Sequence, residues 1–267
     1  MPINSSPLEN TEYRSYQLEI TDEDELAKCV ALLAVGHFRH VQKILDRLSP
    51  PGTFFPTGAV TKAIDEFSKT GTGHLENRDG WIFQFMSWIA LAARTRGAIL
   101  LDAPHPMPSQ KGFDGLAVSL SSDPDQVDFV LITEDKATDN PRQFFRNEVL
   151  PEMRDIEAGS RDGEMLARVT TQVERAVSDE ESREKMLQES LWNKDLRFRV
   201  CIATSGKQLP ARIDLFKGFK ESASGPSKRR GGELLNNENL RLTLQSLATK
   251  IVQYLRSKEK SELSTDV

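Results

Sequence analysis

The strongest β-type segment of the chain ends in charged residues. Residues 128–136 read Asp-Phe-Val-Leu-Ile-Thr-Glu-Asp-Lys, in which β-branched and aromatic side chains give way to Glu134, Asp135 and Lys136. Such a run predicts a strand, and successive side chains on a strand point to opposite faces. Glu134 and Lys136 are therefore expected on one face and Asp135 on the other. The fold must place a carboxylate and an amine side by side at the end of this strand.

Apolar patterns elsewhere predict an α/β fold. The stretch 81–93 is apolar on nearly every side, which is typical of a helix in the middle of a fold. Further helices are expected over 21–48, 60–67, 161–195 (in two pieces divided near 178–179) and 240–255, and from Asn140 onwards. Strands are expected over 98–101, 113–120, 127–133 and 197–203. The central order is helix, three strands, helix, strand.

Length and composition favour one large domain inside a reducing compartment. A chain of 267 residues can bury a full core. We expect a helical N-terminal extension over 1–70, a core over 71–217, and a basic loop with a C-terminal helix over 218–267. Cys29 and Cys201 lie far apart in apolar segments, and neither a secretory signal nor a membrane span is visible. A cytoplasmic protein with no membrane partner is the expectation.

The acidic and lysine positions suggest metal-assisted phosphodiester chemistry. Asp114 lies in a Gly-Phe-Asp-Gly turn before a predicted strand, and Glu134-x-Lys136 is the only acidic-x-Lys triplet of the chain. Magnesium or manganese prefers oxygen ligands, so the Asp114 and Glu134 carboxylates with the Asp135 carbonyl form a candidate ligand set. Lys136 would orient or help to deprotonate the attacking water. Glu76 is a candidate fourth catalytic residue, with Gln84 as its alternative.

Basic residues for nucleic-acid binding are less clearly marked. The net charge of −5 argues against a protein that coats nucleic acid by bulk charge, although it allows a local basic groove. For each candidate, a solvated surface side chain is the commoner explanation. The candidate phosphate contacts are Lys111, Arg142, Lys228, Arg229 and Arg230.

The order of elements and the acids at strand ends resemble the PD-(D/E)xK superfamily, whose fold is the restriction-endonuclease-like core. Within it, residues 112–118 (Gly-Phe-Asp-Gly-Leu-Ala-Val) and 132–137 (Ile-Thr-Glu-Asp-Lys-Ala) are similar to the nuclease subunit of the Hachiman anti-phage defence system. Phe113 stands where the superfamily name has proline. The resemblance implies a metal-dependent DNA endonuclease that is the effector of a bacterial defence complex and is bound by a helicase subunit.

Three alternatives remain open on the residues alone. The chain can be a non-catalytic scaffold of the same fold for an ATP-driven partner, or a nuclease that acts on RNA. In the third alternative, Glu134 and Lys136 form a surface ion pair on an edge strand, and Asp114 is only a turn former.

Overall fold

The computed structural model describes residues 1–49, 52–108, 110–123, 125–190, 195–206 and 211–263. Within these ranges the chain is mixed α/β, with one seven-stranded sheet. The strands are β1 Ile3–Leu8, β2 Arg14–Ile20, β3 Leu100–Leu101, β4 Gly115–Leu120, β5 Val127–Ala137, β6 Asp195–Thr204 and β7 Arg230–Asn236.

Helices cover both faces of the sheet. A π-helical turn, Phe145–Val149, joins the fifth and sixth of them into one continuous helical segment. The helices are α1 Glu23–Ala34, α2 Phe38–Leu45, α3 Thr57–Ser68, α4 Thr72–Thr95, α5 Pro141–Phe144, α6 Leu150–Glu157, α7 Asp162–Ala176, α8 Glu180–Lys185, α9 Arg212–Leu215, α10 Phe219–Ser222 and α11 Leu240–Leu263.

The strand order is β1-β2-β7-β6-β5-β4-β3. The four strands β2, β7, β6 and β5 are parallel to one another, whereas β1, β4 and β3 each run antiparallel to their neighbours. The four parallel strands therefore all begin on one side of the sheet and all end on the opposite side. The side at the strands' amino-terminal ends is here called the amino edge, and the side at their carboxyl-terminal ends is called the carboxyl edge. Functional side chains of α/β sheets commonly lie at the carboxyl edge.

The sheet separates two apolar cores, one on each of its faces. On the α4 face, α1, α3, α4 and α11 pack over Ala117, Cys201, Ala203 and Leu235. On the α7 face, the segment from α5 to α7 packs over alternate residues of the same strands, such as Leu116, Val118, Val130 and Ile132. Because successive side chains on a strand change face, one strand supplies both cores.

The buried central helix is present as predicted. Helix α4 contacts β5 on one side and α1 and α11 on others, so its side chains from Trp81 to Ala93 are buried. It ends at Arg96, whose left-handed φ of 43° stops the helical hydrogen bonding. Within the described ranges, no helix combines the length and the apolar character needed to cross a lipid bilayer.

The N-terminal region and the basic loop differ from the sequence prediction. Residues 1–70 are not only helical, because β1 and β2 lie there and extend the sheet. The helix predicted over 21–48 is two helices, α1 and α2, which are divided at Gly36 with φ +89°. The basic loop expected at the start of 218–267 contains α10 and the start of β7. The expected break near 178–179 is present between α7 and α8, and residues 191–194 of that prediction lie outside the described ranges.

Candidate active site

Asp114, Glu134 and Lys136 converge at the carboxyl edge. The antiparallel register pairs Gly115 with Thr133, so Asp114, one residue before β4, lies across from Glu134 on β5. Lys136 shares the α7 face with Glu134, and its Nζ lies 5.3 Å from the centre of the Phe144 ring. Residues opposite each other on neighbouring strands have Cβ atoms about 4.5–5.5 Å apart, so the two carboxylates face each other.

Hydrogen bonds fix the Asp114 side chain. Its Oδ2 accepts a bond from the backbone N–H of Asp135 at 2.8 Å, and its Oδ1 accepts one from Nε2 of Gln84 at 3.1 Å. Gln84 also donates to the Asp114 carbonyl at 3.3 Å. One carboxylate is thus held by β5 and by α4 together, while Glu134 is presented by β5 itself.

The turn that carries Asp114 depends on its two glycines. Gly112 has φ +127°, which side-chain-bearing residues rarely adopt. At Gly115 a Cβ atom would lie 2.6 Å from Oγ1 of Thr133, so only glycine allows β4 and β5 to approach. Between them Phe113 is buried, and its N–H donates to Oε1 of Glu164 at 3.1 Å. The turn is therefore held rigidly on both sides of Asp114.

The two facing carboxyl groups have raised pKa values. Burial raises the pKa of Asp114 to about 6, although the Asp135 amide and Lys136 act to lower it. Burial, and then the negative charges of Asp114 and Glu152, raise the pKa of Glu134 well above its ordinary range, and Lys136 only partly offsets this. Two neighbouring carboxylates that are both largely withdrawn from solvent favour either a shared proton or a cation between them.

Asp135 points its side chain to the α4 face, as its position in the strand predicts. Its Oδ1 accepts a hydrogen bond from Oγ of Ser87 at 2.5 Å and lies 3.5 Å from Nη1 of Arg199. Burial raises the pKa of Asp135 to about 7, although Arg199 acts in the opposite direction. A strand residue directs its N–H and its carbonyl to the same neighbour. The Asp135 carbonyl therefore faces the side on which Asp114 lies.

A buried ionic network supports Asp135 from beneath. Arg199 is 2% exposed and binds the Glu233 carboxylate with two nitrogens, at 2.7 and 2.6 Å. Arg94, near the end of α4, donates to the same carboxylate. Arg199 also donates to Oγ of Ser87 at 2.7 Å. This chain of contacts ties α4 to three strands and fixes the orientation of the Asp135 side chain.

A cleft of about 480 Å³ opens at the carboxyl edge beside Asp114. Glu76 lines this cleft, yet among the described residues no hydrogen bond joins it to Asp114, Glu134 or Lys136. Gln84, two turns further along α4 and about 12 Å away along the helix axis, makes the contact with Asp114 instead. Of the two α4 candidates, the structure therefore brings Gln84 to the carboxylate.

Three residues that sequence reasoning did not assign, or assigned only loosely, border the site. His105, in the Pro104-His105-Pro106 loop, lines the cleft, and burial lowers its pKa. Arg241 reaches the cleft from the first turn of α11, with its guanidinium bound to Asp79 at 3.2 Å. Glu152 on α6 adds negative charge near Asp114 and Glu134. Neither Arg241 nor Glu152 has a local sequence signal, since each depends on helix docking.

The predicted phosphate contacts are dispersed. Lys111 is exposed in the loop before Asp114. The guanidinium of Arg142 donates to the backbone carbonyls of Leu215 and Lys217, at 3.1 and 2.7 Å. These two positions are near the carboxyl edge, but Arg142 is largely used to hold the chain before α10.

The basic cluster 228–230, which was predicted to contact phosphate, lies at the amino edge. It is therefore not a contact for the candidate active site. Arg230 begins β7, which runs parallel to β5, so it lies at the opposite edge of the sheet from Glu134. Its side chain is 2% exposed and donates to backbone carbonyls, among them that of Glu12 at 2.8 Å. Arg229 binds Glu157 and the carbonyl of Leu196, and Lys228 lies 3.0 Å from Asp195. Arg230 in particular is buried too deeply to contact nucleic acid.

The donor set fits a magnesium-type ion. In the parts of the chain that the structure describes, no group of three or more His, Cys, Asp or Glu side chains is arranged to hold a metal. Asp114 and Glu134 supply two carboxylates and Asp135 a carbonyl, without any nitrogen or sulfur donor. Magnesium needs few protein ligands of this kind, because it keeps several waters and takes oxygens from its substrate. Zinc sites use nitrogen or sulfur ligands that this set lacks.

Comparisons with known proteins give no family for this chain. No protein-family model matches it, and no curated protein matches it either. The function must therefore be argued from the site itself.

Proposed function

We propose that the protein is a metal-dependent nuclease of the PD-(D/E)xK type that hydrolyses phosphodiester bonds in DNA. One observation carries the proposal. Asp114 and Glu134 face each other across two strands with raised pKa values, and Lys136 shares their face. A surface ion pair on an edge strand would not explain this arrangement, because β5 lies between β4 and β6.

The proposed ion is Mg²⁺ or Mn²⁺, held by the Asp114 and Glu134 carboxylates and the Asp135 carbonyl. When bound, it supplies positive charge that polarises a phosphate oxygen and acidifies a water molecule. The protein residues then position the reaction. Gln84 and the Asp135 amide hold Asp114, and β5 holds Glu134.

Lys136 is the proposed general acid–base or charge-stabilising group. It is exposed, so its amine can reach both the attacking water and the phosphate. A positioned amine can accept a proton from water or offset the charge that develops on phosphate. Phe144, packed near its Nζ, limits the directions in which the side chain can turn.

The cleft beside Asp114 is the proposed path of the nucleic-acid backbone. Arg241 lines it, and Lys111 lies exposed in the loop that leads to Asp114. Two cations at the rim can contact phosphates on either side of the scissile bond. Glu76 lines the same cleft and remains a proposed member of the catalytic set.

The biological setting is proposed from the resemblance of residues 112–118 and 132–137. By that resemblance, the protein is the effector of a bacterial anti-phage defence complex and a helicase subunit is its partner. Copurification of an ATP-dependent helicase with the tagged protein from its native host tests this part. If the chain purifies without any such subunit, the proposed helicase partner is wrong, while the nuclease proposal is unaffected.

A cleavage assay tests the nuclease proposal. Purified protein with magnesium is expected to cut DNA, and Glu134→Gln or Lys136→Ala should each reduce the rate by at least about 100-fold. Asp128→Asn is the matched control, because Asp128 is an exposed carboxylate at the other end of β5. Plasmid, linear duplex, single-stranded DNA and RNA are compared as substrates. Equal cleavage rates in Asp128→Asn and Glu134→Gln would contradict the nuclease proposal. Cleavage of RNA alone would show that the substrate is RNA and not DNA.

A further inference from the structure

A second cavity lies towards the amino edge of the sheet, and Asp114, Glu134 and Lys136 do not line it. Its walls come from the first residues of four strands and from the last turns of α4. Its volume is about 130 Å³. On β5 its nearest lining residue is Leu131, three residues before Glu134, and the lining residue Arg199 also contacts Asp135 at 3.5 Å.

The lining of the cavity is strongly basic. Of the residues that the structure describes, Glu233 is the only acid that lines it, and that carboxylate is already bound by two guanidinium groups. A local excess of cations is notable in a chain with a net charge of −5. The basic lining residues are Arg14, Arg94, Arg197, Arg199, Lys228 and Arg230.

Two of these cations have unused hydrogen-bonding capacity. Nη1 of Arg94 is buried and finds no acceptor in the described parts of the chain, although the same guanidinium stacks on the Tyr16 ring at 4.1 Å. Among the described residues, no hydrogen bond or ion pair engages the exposed Arg14 side chain. A buried donor without an acceptor costs about 1–3 kcal/mol, so it calls for a partner.

The strand register leaves space between the cations. Gly231 pairs with Arg14 on β2 and with Arg199 on β6, so it lies between them in one row across three strands. Strands are about 4.8 Å apart, which places Arg14 and Arg199 roughly 9.6 Å from each other at the backbone. A Cβ atom on Gly231 would make only ordinary contacts of 3.7 Å. A side chain would therefore fit at position 231, yet glycine leaves the gap between Arg14 and Arg199 open.

Two further cations of the lining are only partly neutralised. Arg197 and Lys228 share one carboxylate, that of Asp195, at 2.9 and 3.0 Å. Arg197 also lies flat on the Phe129 ring, 3.6 Å from its centre. Two of the aromatic rings that line the cavity, those of Tyr16 and Phe129, are therefore each covered on one face by a guanidinium group.

We propose that this cavity binds the phosphate or diphosphate group of a small phosphorylated molecule. Planar guanidinium groups recognise phosphate oxygens with paired hydrogen bonds, and Arg14 and Arg94 have donors available for this. The volume is below the roughly 300–1,000 Å³ of pockets that enclose a whole drug-sized ligand. The anionic group therefore enters the cavity and the rest of the molecule stays outside.

Calorimetric titration at matched ionic strength tests the proposal, with inorganic phosphate, pyrophosphate, ADP and a short single-stranded oligonucleotide as probes. Saturable binding of pyrophosphate or ADP is expected. Arg14→Glu should weaken it by at least about tenfold, whereas Arg256→Glu, an equal charge change at an exposed position of α11, should leave it within about twofold. Gly231→Val should also abolish binding, because its side chain fills the gap without changing the charge.

Several results would overturn the assignment. They are the absence of saturable binding by every phosphate-bearing probe, equal weakening by the Arg14 and Arg256 variants, and tight binding in the Gly231 variant. Binding of the oligonucleotide alone would also overturn it, by making the cavity a nucleic-acid contact. Circular dichroism shows whether each variant is folded, and Arg14→Gln replaces Arg14→Glu if the latter is not. Asp114→Asn should bind pyrophosphate as the wild type does, because Asp114 does not line this cavity. Failure of the nuclease proposal can therefore be distinguished from failure of this one.

Discussion

Replacing Glu233 with glutamine is expected to destabilise the protein by about 3 kcal/mol. The Glu233 carboxylate is 1% exposed and accepts charge-assisted hydrogen bonds from Arg199 and Arg94. A glutamine keeps the shape but removes the negative charge, and its NH₂ group would face guanidinium donors. Arg199, which is also buried, would then lack its main counter-ion.

The magnitude follows from the pKa of Glu233. Burial acts to raise this pKa, but Arg199 and Arg94 outweigh burial and lower it from 4.5 to about 2. Each pKa unit corresponds to about 1.4 kcal/mol of preference for the charged form, so the shift amounts to about 3 kcal/mol. Breaking a buried ion pair by removing one partner costs a similar amount, about 3–5 kcal/mol.

The same shift fixes the sign of the pH dependence. Because the folded-state pKa of Glu233 is depressed, its stabilisation is fully present above about pH 4.5 and is lost as the pH falls towards about 2. The difference in unfolding free energy between wild type and Glu233→Gln should therefore be largest near neutral pH. It should shrink as the pH is lowered below about 4.5.

Urea denaturation at several pH values measures this difference. Glu19→Gln serves as the control, because Glu19 is an exposed strand residue for which a change of about 0.5 kcal/mol or less is expected. A cost below about 1 kcal/mol for Glu233→Gln at neutral pH would contradict the reasoning. So would a difference between variant and wild type that does not change with pH.

Other changes test the site and its turn. Gln84→Ala should lower the cleavage rate by about 10–100-fold with little loss of stability, because Gln84 orients the Asp114 carboxylate; single-turnover kinetics and thermal melting measure the two effects. Gly115→Ala should cost about 1–3 kcal/mol in urea denaturation, because the added methyl lies 2.6 Å from Oγ1 of Thr133. Gly58→Ala, where nothing lies within 4 Å, is its control and should be neutral or stabilising. Removal of divalent ions with a chelator should stop cleavage, and added magnesium should restore it.

Each of these expectations has a contrary outcome. Cleavage at the wild-type rate in Gln84→Ala would show that Asp114 needs no support from α4. A Gly115→Ala variant as stable as Gly58→Ala would show that β4 and β5 can separate at this point without cost. Cleavage that persists after exhaustive chelation would remove the metal from the proposed reaction.

The central strand and the buried helix could be predicted from the sequence because their signals are local. The alternation along 127–133 is realised in β5, and it places Glu134 and Lys136 opposite to Asp135. The uniformly apolar stretch 81–93 lies within α4. A prediction from such strong periodicity depends little on which elements pack against each other in the folded protein.

The N-terminal strands and β7 could not be predicted, because distant residues determine them. Strand β2 pairs with β7, about 217 positions further along the chain when Arg14 meets Gly231. Gly231-Gly232 suggested a flexible loop, yet at Gly232 a Cβ atom would lie 3.0 Å from the rings of Tyr13 and Phe216. The glycine there allows close packing instead of mobility.

The roles of individual polar residues depended on docking geometry. Glu76 and Gln84 lie on the same helix, and only the tilt and depth of α4 decide which one reaches Asp114. Arg230 looked like an exposed cation among serines and glycines, but backbone carbonyls of the chain before β2 and around α10 enclose it. Sequence alone does not distinguish a cation that faces solvent from one that satisfies a buried turn.

The central claim is that Asp114 and Glu134 jointly hold a divalent ion. A crystal of the protein soaked in manganese tests this most directly, through anomalous scattering from the ion. The account predicts one peak at about 2.1–2.2 Å from a carboxylate oxygen of each residue, close to the distance expected for oxygen ligands of such ions. It also predicts that the peak disappears in Glu134→Gln. A fully occupied peak elsewhere, with none between Asp114 and Glu134, would contradict the account.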